Sequence, residues 1–245
     1  MMELSLIGIG TGNPEHVTLE AQRALRTARV LLVPRKGPGK DDLADLRHRI
    51  LQDAGATGRI VEFDYPERDE AVPYRARVMA WHDEIARRWV AALGHEGGPV
   101  ALLVWGDPSL YDSTLRIAQR LRPVPRIRVV PGITALSALT AAHGITFNTL
   151  AGAVTVTTGR RLRAHGWPDG TESMVVMLDG ECSFTTLDRT DLRIWWGAYL
   201  GMAEQVLEAG ILAEAAPRII ARRAEARTRH GWIMDTYLLR PEGLE

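Results

Sequence analysis

Cysteine is almost absent from this 245-residue chain. Cys182 stands alone, which excludes an internal disulfide and a multi-cysteine metal site and makes a reducing cytoplasm the expected setting. Net charge is missing too. The 30 basic and 30 acidic side chains cancel, leaving no global field to attract nucleic acid or a membrane surface. An anionic partner would have to be held by a local cluster of arginines. No apolar run approaches the roughly 18–20 residues of a membrane span. The N-terminus has no basic flank and enters a strand pattern at once, so no signal peptide is expected. Histidines are scattered, and no metal site is expected. There is no internal repeat, low-complexity tract or obvious catalytic triad.

The chain does contain short apolar runs alternating with helical patterns. LSLIGI, VLLV, RIVEFD, VALLVW and RIRVVP read as strands. Helices are expected near Thr18–Ala28, Asp41–Asp53, Tyr74–Leu93 and Thr134–His143, the last stopped by Gly144. In the third of these, Val78, Trp81, Ile85, Trp89 and Leu93 recur at spacings of three and four, a core stripe. The uniformly apolar VALLVW suits a parallel sheet buried on both faces. The second half has AVTVTTG, SMVVMLDG, LRIWWGAYLG, RIIARR and GWIMDTYLL as strands, the last two as a hairpin through Glu225–Arg229. The expected fold class is therefore α/β with two domains: a parallel-sheet domain over 1–148 and a mixed α+β domain over 149–245, the boundary falling near Phe147–Leu150.

In an open parallel sheet, ligands bind beyond the carboxyl ends of the strands, where three loops qualify. The first, Gly8 to Pro14, mimics a dinucleotide fingerprint but fails it. Its glycines are Gly8, Gly10 and Gly12, Asn13 occupies the third fingerprint position, and Pro14 delays the helix to an N-cap at Thr18. No acidic residue ends the second strand to hold a ribose. A nicotinamide cofactor is disfavoured. A tight turn needing glycine, and a loop approached closely by another ligand, both stay open. The second loop, Gly106-Asp107-Pro108, offers a carboxylate at a strand exit, either a turn-former or a ligand acceptor, with Ser109 and Asp112 as caps for the next helix. The third, Pro131-Gly132-Ile133-Thr134, opens a helix among small residues, as a cap or a ligand-binding turn.

Taken in order, LIGIGTGNPEHVTLEAQRAL, VALLVWGDPSLYD and VVPGITALSALTAAHGI resemble the glycine-rich opening, Gly-Asp-Pro loop and Pro-Gly-[Ser/Thr] loop of the tetrapyrrole methylases. VTVTTG, MVVMLDG and the expected final hairpin are similar to parts of that family's second domain, so the resemblance spans essentially the whole chain. RKGPGKDDLADLRHRI, FDYPERD, WHDEIARRW and GITFNTLAG resemble one branch, the deacetylating C-methylases of aerobic cobalamin biosynthesis.

The resemblance implies a homodimer and a cleft between the two domains that holds S-adenosylmethionine. Its contacts are expected from Gly106, Asp107, Leu110, Tyr111, Thr134, Ala135, Met177, Leu178, Trp196 and Gly197. ARRAEART departs from the family's usual Arg-[Ala/Gly]-Thr-Thr, so that segment is left unassigned. Gly10, Gly12 and Pro14 are expected to line a tetrapyrrole trough. The branch implies methylation of precorrin-5 at C-1 with release of acetate. The methyl transfer needs alignment and exclusion of water rather than a strong base. Acetate release adds water to a carbonyl, for which Asp64, Glu67 and Glu15 are candidate bases, though a solvated loop carboxylate is the more ordinary reading of each. Tyr111 could orient substrate or cofactor, or simply pack. A polycarboxylate substrate suits arginine forks; Arg35 and Lys36, and Arg160, Arg161 and Arg163, occupy plausible rim positions. Other substrates of the same fold (a different precorrin, ribosomal RNA, diphthine) and a non-catalytic tetrapyrrole-binding protein are the alternatives.

Overall fold

The computed structural model describes residues 2–35, 41–67, 71, 73–94 and 98–244. It divides into two compact units, Met1–Thr134 and Ala135–Glu245.

The first unit has five strands, β1 (Glu3–Gly8), β2 (Val30–Arg35), β3 (Arg59–Asp64), β4 (Pro99–Val104) and β5 (Arg126–Val130), in the order β3-β2-β4-β1-β5. All neighbours are parallel. Four helices connect them: α1 (Leu19–Thr27), α2 (Asp41–Asp53), α3 (Tyr74–Leu93) and α4 (Thr114–Ala118). Residues of β4 alternate between two cores. Val100, Leu102 and Val104 pack with Ile85, Trp89 and Leu93 of α3 and Ile117 of α4. Ala101 and Leu103 pack with Ala21 and Leu25 of α1 and Ile50 of α2. Helices on both faces explain why the central strand β4 reads as an unbroken apolar run, while the outer strands β3 and β5 carry exposed charged residues. Helix α1 starts as expected: Thr18 Oγ1 accepts from the Ala21 amide at 3.1 Å. The tryptophans of α3 are packing residues, Trp89 fully buried and Trp81 against the edge of the same core.

β1 and β4 lie side by side but lead away on opposite faces, β1 through α1 to β2 and β4 through α4 to β5. Their carboxyl ends form the point where an open α/β sheet divides, the place where such sheets bind ligands.

The second unit opens with α5 (Ala135–His143) and continues with β6 (Val154–Thr158), α6 (Gly159–His165), β7 (Ser173–Met177), β8 (Leu192–Ala198), β9 (Val206–Ile211), α7 (Leu212–His230) and β10 (Asp235–Pro241). Its sheet runs β6-β7-β10-β8-β9, parallel only at β6–β7 and hence mixed, as expected. Ala138 and Leu139 of α5 are buried against Val175, Leu200 and Leu238. Residues 135–148, read from sequence as the end of the first domain, therefore pack with the second unit.

One expectation fails clearly. RIIARR is not a strand, and no hairpin turns through Glu225–Arg229; both lie inside α7. Ala, Glu and Arg are good helix formers and dominate the segment. Leu212, Ala215, Ile219 and Ala226 recur at helical spacing and are buried. Gly231 closes the helix with φ 72°, its amide donating to Arg227 O at 2.9 Å. The isoleucine pair that suggested a strand is split by this helix, with Ile219 buried and Ile220 exposed.

Candidate functional site

The three exit loops of the first unit are tied together by backbone. Gly10 and Gly106 form a reciprocal antiparallel bridge, Gly106 N donating to Gly10 O at 2.8 Å and Gly10 N to Gly106 O at 3.3 Å. Gly132 N donates to Asp107 Oδ2 at 2.9 Å. A Cβ on Gly8 would stand 2.6 Å from Gly132 N, and one on Gly132 would collide with Gly106 O. Gly8, Gly106 and Gly132 thus stack backbone against backbone. This answers the question left by the first loop: its glycines let three loops approach one another, and no phosphate cradle is needed to explain them. Gly10 and Gly12 are buried and Pro14 half-buried, the proline opening a short 3-10 turn, Pro14–His16.

Asp107 organises this junction. Oδ1 accepts from the Ser109 amide at 2.8 Å and from the Ser109 hydroxyl, while Oδ2 takes the Gly132 amide. Partial burial pushes the carboxyl up, but these three donors outweigh it and hold it below its ordinary value. Ser109 serves Asp107 and does not cap α4; the N-cap position is Ser113, and Asp112 Oδ1, one residue before it, accepts from the Thr114 amide at 2.6 Å. Leu110 is half-buried, and Tyr111 is 43% exposed with a left-handed φ of 49°. Thr134 and Ala135, at the end of the third loop, are half-buried.

In the second unit, Met177 ends β7 half-buried, and Leu178 is 66% exposed with φ 52°. Left-handed backbone is costly for any residue other than glycine, and such strain concentrates where ligands are held. Among the described non-glycine residues with positive φ are Tyr111 and Leu178, on both of which the family resemblance places cofactor contacts. Trp196 is different. Its indole is fully buried, Nε1 donating to Asp235 Oδ2 at 3.0 Å, and its carbonyl accepts from His143 Nε2 at 3.0 Å. Gly197 is buried with no room for a Cβ beside Leu200 and Leu139.

The rim candidates fall in two places. Arg35 and Asp64, register partners at the ends of β2 and β3, form a two-pronged pair at 3.1 and 2.8 Å, so the candidate base and the candidate carboxylate fork occupy each other. Arg160 and Arg161 project from the first turn of α6, both exposed, and Arg163 pairs with Glu181. Glu15 and Glu67 are exposed. Lys36 lies outside the described residues. Among the described residues, no three of His, Cys, Asp and Glu are grouped to hold a metal ion, and no helix is long and apolar enough to cross a membrane.

A polar network behind Leu178 escapes the sequence reading. The buried Asp179 accepts from Ser183 N at 2.6 Å, Ser183 Oγ at 2.7 Å, Glu181 N at 3.2 Å and Tyr237 Oη at 2.7 Å. Arg223 of α7 donates to Asp179 O at 3.0 Å and to Asp235 Oδ2 at 2.9 Å. Burial works against the guanidinium charge, but the Asp235 carboxylate outweighs it and raises the Arg223 pKa. The network anchors the turn after β7, the end of β8 through Trp196, and the start of β10. Its only sequence signal is an acidic residue directly after an apolar strand. Cys182, beside it, has its thiol pushed up by burial, the opposite of what a nucleophile needs.

Comparison with known proteins shows the family and the fold. The sequence profile of the Tetrapyrrole (Corrin/Porphyrin) Methylases matches residues 3–216. A precorrin-6A synthase [deacetylating] from Sinorhizobium sp is 44% identical over 98% of this chain and 95% of its own length. The crystal structure of a cobalamin synthesis related protein (CobF) from Corynebacterium diphtheriae superposes with a TM-score of 0.84 at 38% identity, covering 98% of this chain and 99% of that one. A uroporphyrin-III C-methyl transferase from Thermus thermophilus, complexed with S-adenyl homocysteine, shares the fold at a TM-score of 0.62 and 21% identity, over 97% of each chain. The chain belongs to the tetrapyrrole methylases.

Proposed function

We infer that this protein is an S-adenosylmethionine-dependent C-methyltransferase of cobalamin biosynthesis, methylating precorrin-5 at C-1 with release of acetate. The observation that carries this reading is 44% identity, along nearly the whole chain, to a deacetylating precorrin-6A synthase. When bound, S-adenosylmethionine supplies an electrophilic methyl group. The residues present fit such a cofactor on an observation of their own: Tyr111, in the loop after β4, and Leu178, directly after β7, hold exposed side chains on left-handed backbone.

The chain's own contribution is positioning. Asp107 fixes the Gly106–Tyr111 loop against Gly132 and so orders the donors and acceptors of the second and third loops. Gly106, Asp107, Leu110, Tyr111, Thr134 and Ala135 are our assignment for cofactor contacts from the first loops, with Met177, Leu178 and the backbone of Trp196 and Gly197 from the strand ends of the second unit. Substrate contacts are assigned to Pro14, Arg35, Arg160 and Arg161. Asp64 is assigned to water activation in acetate release, and Arg35 must move off it for that role. Tyr111 orients the reacting groups. A cytoplasmic homodimer completes the reading.

Incubation with precorrin-5 and S-adenosylmethionine tests it. The expected result is one acetate released for each S-adenosylhomocysteine formed. A methylated product that keeps its acetyl group would remove the deacetylating assignment and leave a precorrin methylase.

A further inference from the structure

We propose that Arg47 is a carboxylate-binding residue at the carboxyl edge of the first sheet and takes one carboxylate of the tetrapyrrole substrate, an inference that rests on the methylase reading above. Arg47 lies in α2 and is only 4% exposed. Nη1 donates to Leu43 O, one turn back in the same helix, at 3.1 Å. The guanidinium carbon stands 5.7 Å from the centre of the Trp105 ring. Nε is buried with no hydrogen-bond partner. Among the described residues, no carboxylate pairs with Arg47.

Among the described residues, the titratable neighbour that couples to it, Tyr65, cannot supply the missing charge. Tyr65 is pushed up to about 12, chiefly by burial, against the pull of Arg47 and with Asp112 adding to the rise. Its hydroxyl is neutral at physiological pH. Burial also works against the Arg47 charge, yet an arginine does not lose its proton in proteins. A buried cation without an anion is among the costliest arrangements a fold can keep. Here it is kept where ligands arrive. Trp105 directly follows β4 and precedes Gly106-Asp107, and Tyr65 directly follows Asp64 at the end of β3. Arg47 thus stands at the ligand-binding edge of the sheet, with unused N–H groups on a fork shaped for a carboxylate. Precorrins carry carboxylates around their rim, which makes the substrate the natural counter-ion.

The rival account is structural: Arg47 would merely brace α2 against Trp105. Steady-state kinetics on Arg47→Met and Arg47→Lys with precorrin-5, S-adenosylhomocysteine calorimetry and thermal melting separate the two. The Met variant should raise the KM for precorrin-5 about tenfold or more, one charge-assisted fork being lost. Its kcat should change much less, its S-adenosylhomocysteine affinity should hold, and its melting temperature should be equal or higher. The Lys variant should recover part of the KM. An unchanged KM, or a raised KM accompanied by a lower melting temperature and weaker S-adenosylhomocysteine binding, overturns the assignment while the methylase reading stands. A wild-type protein that binds S-adenosylhomocysteine but leaves precorrin-5 unmethylated overturns both.

Discussion

Arg223 and Arg47 are both withdrawn from solvent, one in each unit, and among the described residues only Arg223 meets an anion. Its Nε sits 2.9 Å from Asp235 and its other branch holds the Asp179 carbonyl. Arg47 has one carbonyl of its own helix and an indole face. The difference separates two uses of the same side chain. The second unit closes its charge internally and gains fixed strand ends. On the proposal made for Arg47, the first unit leaves a charge at the edge of its sheet for the substrate to close. A satisfied arginine should therefore govern stability, and an unsatisfied one should govern substrate affinity.

The largest effect expected from that contrast is at Asp235. Asp235→Ala strands Arg223 as an uncompensated buried charge and takes the acceptor from Trp196. Losing one partner of such a pair costs about 3–5 kcal/mol, measurable by urea denaturation. The double variant Arg223→Met/Asp235→Leu should be markedly less destabilised than Asp235→Ala, because it removes both charges together. If the two behave alike, the pair is not what holds this region, and the contrast with Arg47 loses one side.

Asp107 sharpens the comparison from the other sign, as a carboxylate held by amides and a hydroxyl instead of a cation. Asp107→Ala should weaken S-adenosylhomocysteine binding by about 1–3 kcal/mol, the scale for a lost hydrogen-bond acceptor of this kind, read by calorimetry. The pH dependence follows from the lowered pKa. The stability Asp107 contributes is fully present above its ordinary value of 3.8 and is lost as pH falls through the still lower folded value. The stability difference between wild type and Asp107→Asn should therefore be flat near neutrality and shrink in strong acid.

The first unit was legible because its physics is local. Strands buried on both faces write continuous apolar runs, α3 writes its stripe at helical spacing, and Thr18 marks a helix start where the structure has it. Gly106, Asp107 and Gly132 could be located as loop residues, but not as one stitched junction, since Gly132 meets Asp107 across 25 positions of sequence. The same distance problem hides the pairing of Arg223 with Asp235, compounded by reading RIIARR as a strand, which would have placed Arg223 on a different element. Arg47 was invisible for another reason. A helical arginine in DLADLRHRI reads as solvated surface, and what marks it out is a 4%-exposed side chain with an unpartnered Nε and no carboxylate beside it among the described residues.

Arg35 and Asp64 give the smallest effect on folding and the finest test. Their geometry is as good as that of the buried pair, at 2.8 and 3.1 Å, but the side chains are 52% and 56% exposed. Water screens such a pair and side-chain entropy offsets most of its attraction. Arg35→Ala should move the melting temperature by about 2 °C or less for a chain of this size, against a shift several times larger for Asp235→Ala. Its functional effect should fall on precorrin-5, with a higher KM and S-adenosylhomocysteine affinity intact, if Arg35 leaves Asp64 for a substrate carboxylate. Asp64→Asn should be equally mild on folding while slowing acetate release relative to methylation, since it keeps the shape of the pair and removes the base. A variant at either position that melts as early as Asp235→Ala would mean that exposure is a poor guide to what an ion pair does in this fold, and the line drawn between Arg223 and Arg47 would have to be redrawn on geometry alone.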